Sequence, residues 1–138
     1  MATYLADKSA LTRSDTRPEV REVIEPLLLG GRIATCGIVD LELLYSAPSA
    51  AAYHQLAKLL SAMPRVPVTD AAVDRALEVQ SLLADRAQHR SVPLPDLLIA
   101  ACAEAAGLTV LHYDADYERV AKVTGQPVQW VVSRGSVA

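Results

Sequence analysis

Phenylalanine is missing from this 138-residue chain, and aromatic residues make up only 4% of it. Apolar residues still reach 51%, so the core has to be built from Ala, Leu, Val and Ile, which suits helices packed on a parallel sheet. Cysteine is scarce as well: Cys36 and Cys102 fall in different expected elements and lack the density or CxxC spacing of a zinc or redox motif. They read as small core residues of a reducing compartment. No stretch approaches the ~18 apolar residues that cross a bilayer. Asp7, Lys8 and Arg13 interrupt the region where a secretory signal would place its apolar segment. A cytoplasmic location away from membranes is the expectation. There is no basic surplus either. The formal net charge is −3, which taken alone argues against nucleic-acid binding. Divalent cations held by an acidic cluster would reverse that argument, because a bound ion's charge belongs to its site.

What is present is ordinary globular material in an alternating order. Charged residues at 21% exclude global disorder, and the length suits a single domain over 1–138 without repeat or linker. Tyr4-Leu5-Ala6 is a short first strand ending at Asp7. Val20, Val23, Ile24, Leu27 and Leu28 recur at helical spacing. Asp15 or Thr16 is placed to cap that helix, Gly30-Gly31 to stop it, and Pro26 to kink or shorten it. Ile33 to Cys36 reads as a second strand, with a short helix over Ile38 to Tyr45 behind it. A further helix spans Ser49 to Met63. Arg65 to Val68 is a weak strand whose proline suggests a sheet edge. Thr69 or Asp70 caps a helix expected to turn Val73, Leu77 and Leu83 toward the core. Pro93 and Pro95 deliver Asp96 to the first turn of an Ala-rich helix ending at Gly107. Val110 to Tyr113, a helix over Asp116 to Val123, and Val128 to Val132 complete an α/β chain with a mainly parallel sheet.

Acidic residues recur at the edges of these elements: Asp7 and Asp114 after strands, Glu42 one turn into a helix, Asp96 at a helix start, Asp116 just beyond Asp114. In an open parallel sheet ligands bind beyond the carboxyl ends of the strands, at the switch in strand order. If the first and fourth strands are neighbours, Asp7 and Asp114 face one crevice. Carboxylates ~4 Å apart repel by roughly 4 kcal/mol at an effective dielectric of 20. A pocket of them therefore holds protons at shifted pKa values or binds hard divalent ions. Taken singly, Asp96, Asp114 and Asp116 fit capping and turn roles better than ligand roles, and Glu42 fits a rim charge. Asp7 is the least ordinary, since the Ser-Ala-Leu after it gives it little capping work to do.

The string Tyr4-Leu5-Ala6-Asp7-Lys8-Ser9-Ala10-Leu11 resembles the opening of PIN-domain ribonucleases, especially VapC toxins of type II toxin–antitoxin pairs. The similarity continues through Asp40-Leu41-Glu42-Leu43 and Pro95-Asp96-Leu97-Leu98-Ile99-Ala100-Ala101. It closes with Leu111-His112-Tyr113-Asp114-Ala115-Asp116-Tyr117. The resemblance implies a three-layer α/β/α sandwich and an Mg²⁺- or Mn²⁺-dependent endoribonuclease acting by metal-assisted phosphodiester hydrolysis. It assigns the catalytic quartet to Asp7, Glu42, Asp96 and Asp114, with Asp7 and Asp96 as primary metal ligands and Asp116 as an accessory. Ser9 would orient a carboxylate or water beside them. A VapB-like antitoxin and a homodimer are the implied partners, with RNA as substrate.

Lys8 and Tyr117 depart from the commonest pattern, which has threonine and phenylalanine there. Tyr117 keeps a ring for packing. Lys8 could cover the pocket, pair a carboxylate or hold a phosphate. Lys8 and the His89-Arg90 pair are the expected backbone-phosphate contacts, while His54 and His112 read as surface or packing residues. A catalytically silent PIN-like binding module and a flavodoxin-like phospho-acceptor are the competing readings. The first is disfavoured by the intact quartet, the second by the lack of a suitably placed aspartate and late lysine.

Overall fold

The alternating pattern folds as an open sheet in a computed structural model describing residues 1–138. Its strands are β1 (Tyr4–Ala6), β2 (Ile33–Cys36), β3 (Arg65–Val66), β4 (Thr109–His112) and β5 (Val128–Trp130). They pair in the order β3-β2-β1-β4-β5, every pairing parallel. The helices are α1 (Lys8–Ser14), α2 (Pro18–Leu29), α3 (Gly37–Tyr45), α4 (Ala50–Ser61), α5 (Asp70–Ala84), α6 (Leu94–Ala105) and α7 (Asp116–Thr124). The chain steps outward from β1 to β3, then lays β4 on the opposite side of β1, with Leu5 registered against Val110 and Ala6 against Leu111. The switch in strand order therefore lies between β1 and β4, the two strands that Asp7 and Asp114 follow.

Strand alternation divides the core into two layers of contact. Ala6, Ile33 and Leu111 face α1 and α2, packing with Ala10, Val20 and Ile24. Leu5, Ala34, Cys36 and Val110 face the other way, against residues of α3, α5, α6 and α7. The result is helix, sheet, helix, a PIN-like three-layer sandwich. Small residues make this possible without phenylalanine. Ala100, Ala101, Cys102 and Ala103 of α6 are all buried, so the helix backbone approaches the sheet closely. Cys36 and Cys102 are free thiols inside the larger core, as their sequence context suggests.

Several local expectations need correction. Lys8–Ser14 forms a helix that the short Ser-Ala-Leu run did not announce, and Asp7 is its N-cap, accepting from the Ser9 N–H. Asp7 thus does have capping work. Asp15 closes α1, and Arg17 rather than Asp15 or Thr16 sits at the start of α2, without a side-chain cap. Pro26 lies within α2 on its exposed side, where water can serve the carbonyl that loses its partner, and the helix runs on to Leu29. In α5 the buried residues are Ala72, Ala76, Val79 and Leu83. Val73 and Leu77 are exposed instead, on the rim of a groove they share with Leu94, Leu97 and Leu98 of α6, while Leu83 is buried as expected. β3 is an edge strand, as Pro67 suggested, but stops at Val66.

Candidate metal centre

Asp7 follows β1 directly, and the residue is only 2% exposed. Its backbone N–H is held by the Leu111 carbonyl of β4 at 2.9 Å, which fixes the residue at the strand switch. Oδ2 accepts from the Ser9 N–H at 3.0 Å and Oδ1 accepts from the Tyr117 hydroxyl at 2.8 Å. Asp96 stands in the first turn of α6, set there by Pro93 at the cap and Pro95 within the turn, and it too is buried. Glu42 projects from α3 with its side chain 19% exposed, and its Oε1 is buried with no hydrogen-bond partner. Ligand oxygens of Asp7, Glu42 and Asp96 all lie within 4.8 Å of one another. The same holds for Asp96, Asp114 and Asp116. Asp96 is shared by both groups and stands at the centre of the cluster.

The electrostatics follow from that geometry. Burial first, then the charges of Asp7, Asp114, Asp116 and Glu42, push the Asp96 carboxyl up to about 7. Burial raises Glu42 as well, Lys8 beside it pulls the other way, and Asp7 adds to the rise. Asp116 is raised by burial and by Asp114, against the lowering effect of Arg119, whose Nη1 is 2.6 Å from its Oδ1. These carboxyls are crowded well beyond what capping needs. An orphaned buried Glu42 oxygen within an all-oxygen donor set fits a hard divalent cation, which takes carboxylate and water ligands. A soft metal would want thiolate or imidazole, and the cluster offers neither.

Each remaining predicted residue has a definite place. Asp114 accepts the Asp116 N–H at 2.9 Å, so it performs the turn role and still belongs to the acidic cluster. Lys8 pairs with Glu42, Nζ to Oε2 at 3.5 Å, at the rim of the cluster. The Ser9 hydroxyl accepts from the Tyr113 N–H at 2.9 Å, tying α1 to the end of β4, and it is the Ser9 backbone that touches Asp7. Arg90 and His89 lie on the exposed turn leading into α6, outside the acidic cluster.

Sequence reasoning missed Asp40 altogether and, for His112 and Tyr117, foresaw packing but not the polar contact. Asp40, in the same short run as Glu42, is buried and fully engaged, accepting from Thr35 Oγ1 at 2.6 Å and from Arg65 at 2.5 Å. It anchors α3 to β3. His112 is fully buried between Tyr117 and Trp130, with ring centroids 5.1 and 4.9 Å away. Its Nδ1 accepts the Asp114 N–H at 3.1 Å, and burial lowers its pKa to about 4, so the ring is a neutral prop for the turn carrying Asp114. Tyr117 was expected to pack, and it does, but its hydroxyl also reaches Asp7. Burial and the nearby carboxylates raise its pKa, so that hydroxyl remains a donor.

Comparison with known proteins gives the family. The PIN domain model matches residues 4–123. Ribonuclease VapC21 of Mycobacterium tuberculosis is 47% identical over 134 residues, covering 96% of each chain. Ribonuclease VapC51 of the same species is also 47% identical, over 97% of this chain and 96% of its own. Among solved structures, a DNA-bound VapBC from Salmonella typhimurium overlays 96% of this chain and all of its own matched chain, at TM-score 0.74 and 20% identity. VapBC-5 of Mycobacterium tuberculosis overlays 72% of this chain and 80% of its own, at TM-score 0.52 and 28% identity. With its strand switch, its acidic cluster and these relatives in agreement, the chain belongs to the PIN-domain family, in its VapC branch.

Proposed function

We propose that this chain is the toxin of a type II toxin–antitoxin pair, a metal-dependent endoribonuclease that hydrolyses RNA phosphodiester bonds. The observation that carries the reading is Asp96, buried where two acidic groups meet, in a chain 47% identical to proteins named ribonucleases. Mg²⁺ or Mn²⁺ is the proposed cofactor, because the donors are all hard oxygens. Asp7 and Asp96 are its primary ligands, Glu42 and Asp114 complete the shell, and Asp116 supports it from the start of α7. Bound there, the cation supplies an acidified water and neutralises charge developing on the phosphate. The chain's own part is to hold the carboxylates oriented, through the Asp7 donors and the first turn of α6. Lys8, half exposed at the rim beside Glu42, would be the contact for a substrate phosphate. Arg90 is a second proposed phosphate contact, at the mouth of α6.

The partners follow from the surfaces. An apolar cavity of about 400 Å³ runs between α1, α2, α3 and α4, lined by Leu11, Leu28, Leu43, Leu56 and Met63. It is built on the same helices that carry Lys8 and Glu42. A VapB-like antitoxin segment seated there can extend an Arg or Lys into the acidic cluster and displace the metal. A homodimer is proposed through the exposed face of α5 and α6, where Val73, Leu77 and Leu94 stand out around Leu98. No helix is long and apolar enough to cross a membrane, and we place the activity in the cytoplasm as one domain over 1–138.

The test is purified protein incubated with total RNA, with Mg²⁺ or Mn²⁺ and with EDTA. Metal-dependent cleavage is expected. Asp7→Ala and Asp96→Ala should each lower the rate by more than the ~10–100-fold typical of outer-shell changes around a metal. Full activity in both variants would overturn the metal-site reading. Metal binding without cleavage of any RNA would favour a catalytically silent module.

A further inference from the structure

Asp7 is the ligand whose carboxylate is most completely determined by the protein around it. One of its donors is local, the Ser9 N–H of its own helix cap. The other is the Tyr117 hydroxyl on α7, 110 positions along the chain and 2.8 Å from Oδ1. Tyr117 is fully buried and cannot swing away. Its ring is packed on His112, and His112 on Trp130, so a column of aromatic rings behind the metal cluster ends in this one hydroxyl. A phenylalanine, the residue of the commonest motif, would fill the same space and leave Oδ1 without that donor.

We propose that Tyr117 is a positioning residue of the metal centre, its hydroxyl locking the Asp7 carboxylate in the orientation that presents its free lone pairs to a divalent cation shared with Glu42 and Asp96. The proposal rests on the metal-site reading above. A carboxylate torsion is broad when nothing holds it. With both oxygens held, Asp7 can bind the ion without first losing rotational freedom, and the hydroxyl also disperses part of the charge it carries toward Asp96. Outer-shell donors of this kind typically carry ~10–100-fold in metal affinity or activity.

The experiment titrates Mn²⁺ into EDTA-treated, dialysed protein and follows free Mn²⁺ by electron paramagnetic resonance, with no RNA present. Tyr117→Phe keeps the ring and should fold like the wild type. Its Mn²⁺ dissociation constant is expected to rise about tenfold. In cleavage assays the half-saturating metal concentration should rise with it, while the rate at saturating metal falls much less. Val120→Ala, one turn along α7 and fully buried in the same core with no polar group to offer Asp7, serves as the packing control. It should lower the melting temperature and leave the Mn²⁺ constant alone. A Tyr117→Phe constant equal to wild type overturns the proposal. So does an equal shift in Val120→Ala, which would assign the effect to general loosening, and so does a wild type that binds no Mn²⁺. Because the titration needs no RNA, wild-type protein that binds Mn²⁺ but cleaves nothing would refute the ribonuclease reading and leave the role of Tyr117 decided by the constants.

Discussion

Lys8 and Glu42 face each other across the gap between α1 and α3, Nζ 3.5 Å from Oε2, so the acidic cluster carries its own cation at the rim. Lys8 is half exposed, so solvent screens the pair, and such pairs contribute ~0–1 kcal/mol. Lys8→Thr should therefore leave the metal-free melting temperature nearly unchanged. A divalent ion entering the cluster must compete with Lys8 for Glu42. Removing the lysine should tighten Mn²⁺ binding about two- to fivefold, the factor that the upper part of that energy range allows. If Lys8 also meets the substrate phosphate, the KM for RNA should rise in the same variant. Calorimetric titration of Mn²⁺ and steady-state cleavage separate the two effects, and unchanged values in both would leave Lys8 as a surface charge.

Asp40 and Glu42 provide an internal contrast, because neighbouring acids in one run have opposite duties. Asp40 satisfies Thr35 and Arg65 and has nothing to offer a metal. Asp40→Ala leaves the buried Thr35 hydroxyl only its long contact to the Cys36 carbonyl at 3.4 Å, removes the partner of Arg65, and should cost about 1–3 kcal/mol in stability. Cleavage per folded molecule should survive. Glu42→Gln removes a charge from a crowded cluster, so the metal-free protein should melt at the same temperature or higher. Its cleavage should fall by more than tenfold. Thermal melts in EDTA beside rate measurements check the contrast, which would collapse if Asp40→Ala were the inactive variant and Glu42→Gln the unstable one.

The sequence carries the strands and the acids because each follows from a short-range rule, whereas the pairing of β1 with β4 was only a condition there and is supplied by the fold. Apolar runs bounded by Asp or Gly mark β1, β2 and β4, and an acid beyond a parallel strand lies at the ligand end of the sheet. What it hides depends on long-range contact. Whether Val73 or Ala72 faces inward on α5 is decided by how α5 packs on α6, and the spacing of apolar residues favours the wrong pair. Asp40 and Glu42 are indistinguishable until Arg65 arrives from β3. The Tyr117 hydroxyl is invisible for the same reason, since its partner is Asp7 on the far side of the sequence. Even α1 was hidden, being seven residues held chiefly by the Asp7 cap and by Ala10 in the core.

Asp96 makes the metal-free protein sensitive to pH in a defined direction. Its carboxyl is raised from 3.8 to about 7 in the fold, so between those values the folded chain binds a proton that the unfolded chain has already released. The stability from that proton is fully present below about 3.8 and is lost as pH rises through about 7. His112, lowered from 6.5 to about 4, acts in the opposite sense and would mask the trend in wild type alone. Asp96→Asn cannot titrate but retains His112, so the difference between the two proteins isolates Asp96. In EDTA, wild type should lose stability relative to Asp96→Asn as pH rises from about 4 to about 7, with no further change above. Denaturant melts at matched ionic strength measure it. A flat difference would mean that Asp96 is ionised throughout.

Metal should invert that balance. A divalent ion binds only the folded cluster, and a ligand at 100 times its Kd stabilises the native state by ~2.7 kcal/mol. For a domain of this size that corresponds to roughly 10 °C in melting temperature. Mg²⁺ and Mn²⁺ should both produce the rise at pH 8, EDTA should reverse it, and Asp96→Asn should blunt it by taking away the carboxylate that both acidic groups share. The rise should shrink below pH 7, where a proton occupies Asp96 and metal affinity falls about tenfold for each unit of pH. Monovalent salt at equal ionic strength is the necessary comparison, since screening alone relaxes the repulsion among these carboxylates. A melting temperature that responds equally to NaCl and MgCl₂ would mean that the cluster is merely screened, and the case for a metal-dependent nuclease would fail at its first step.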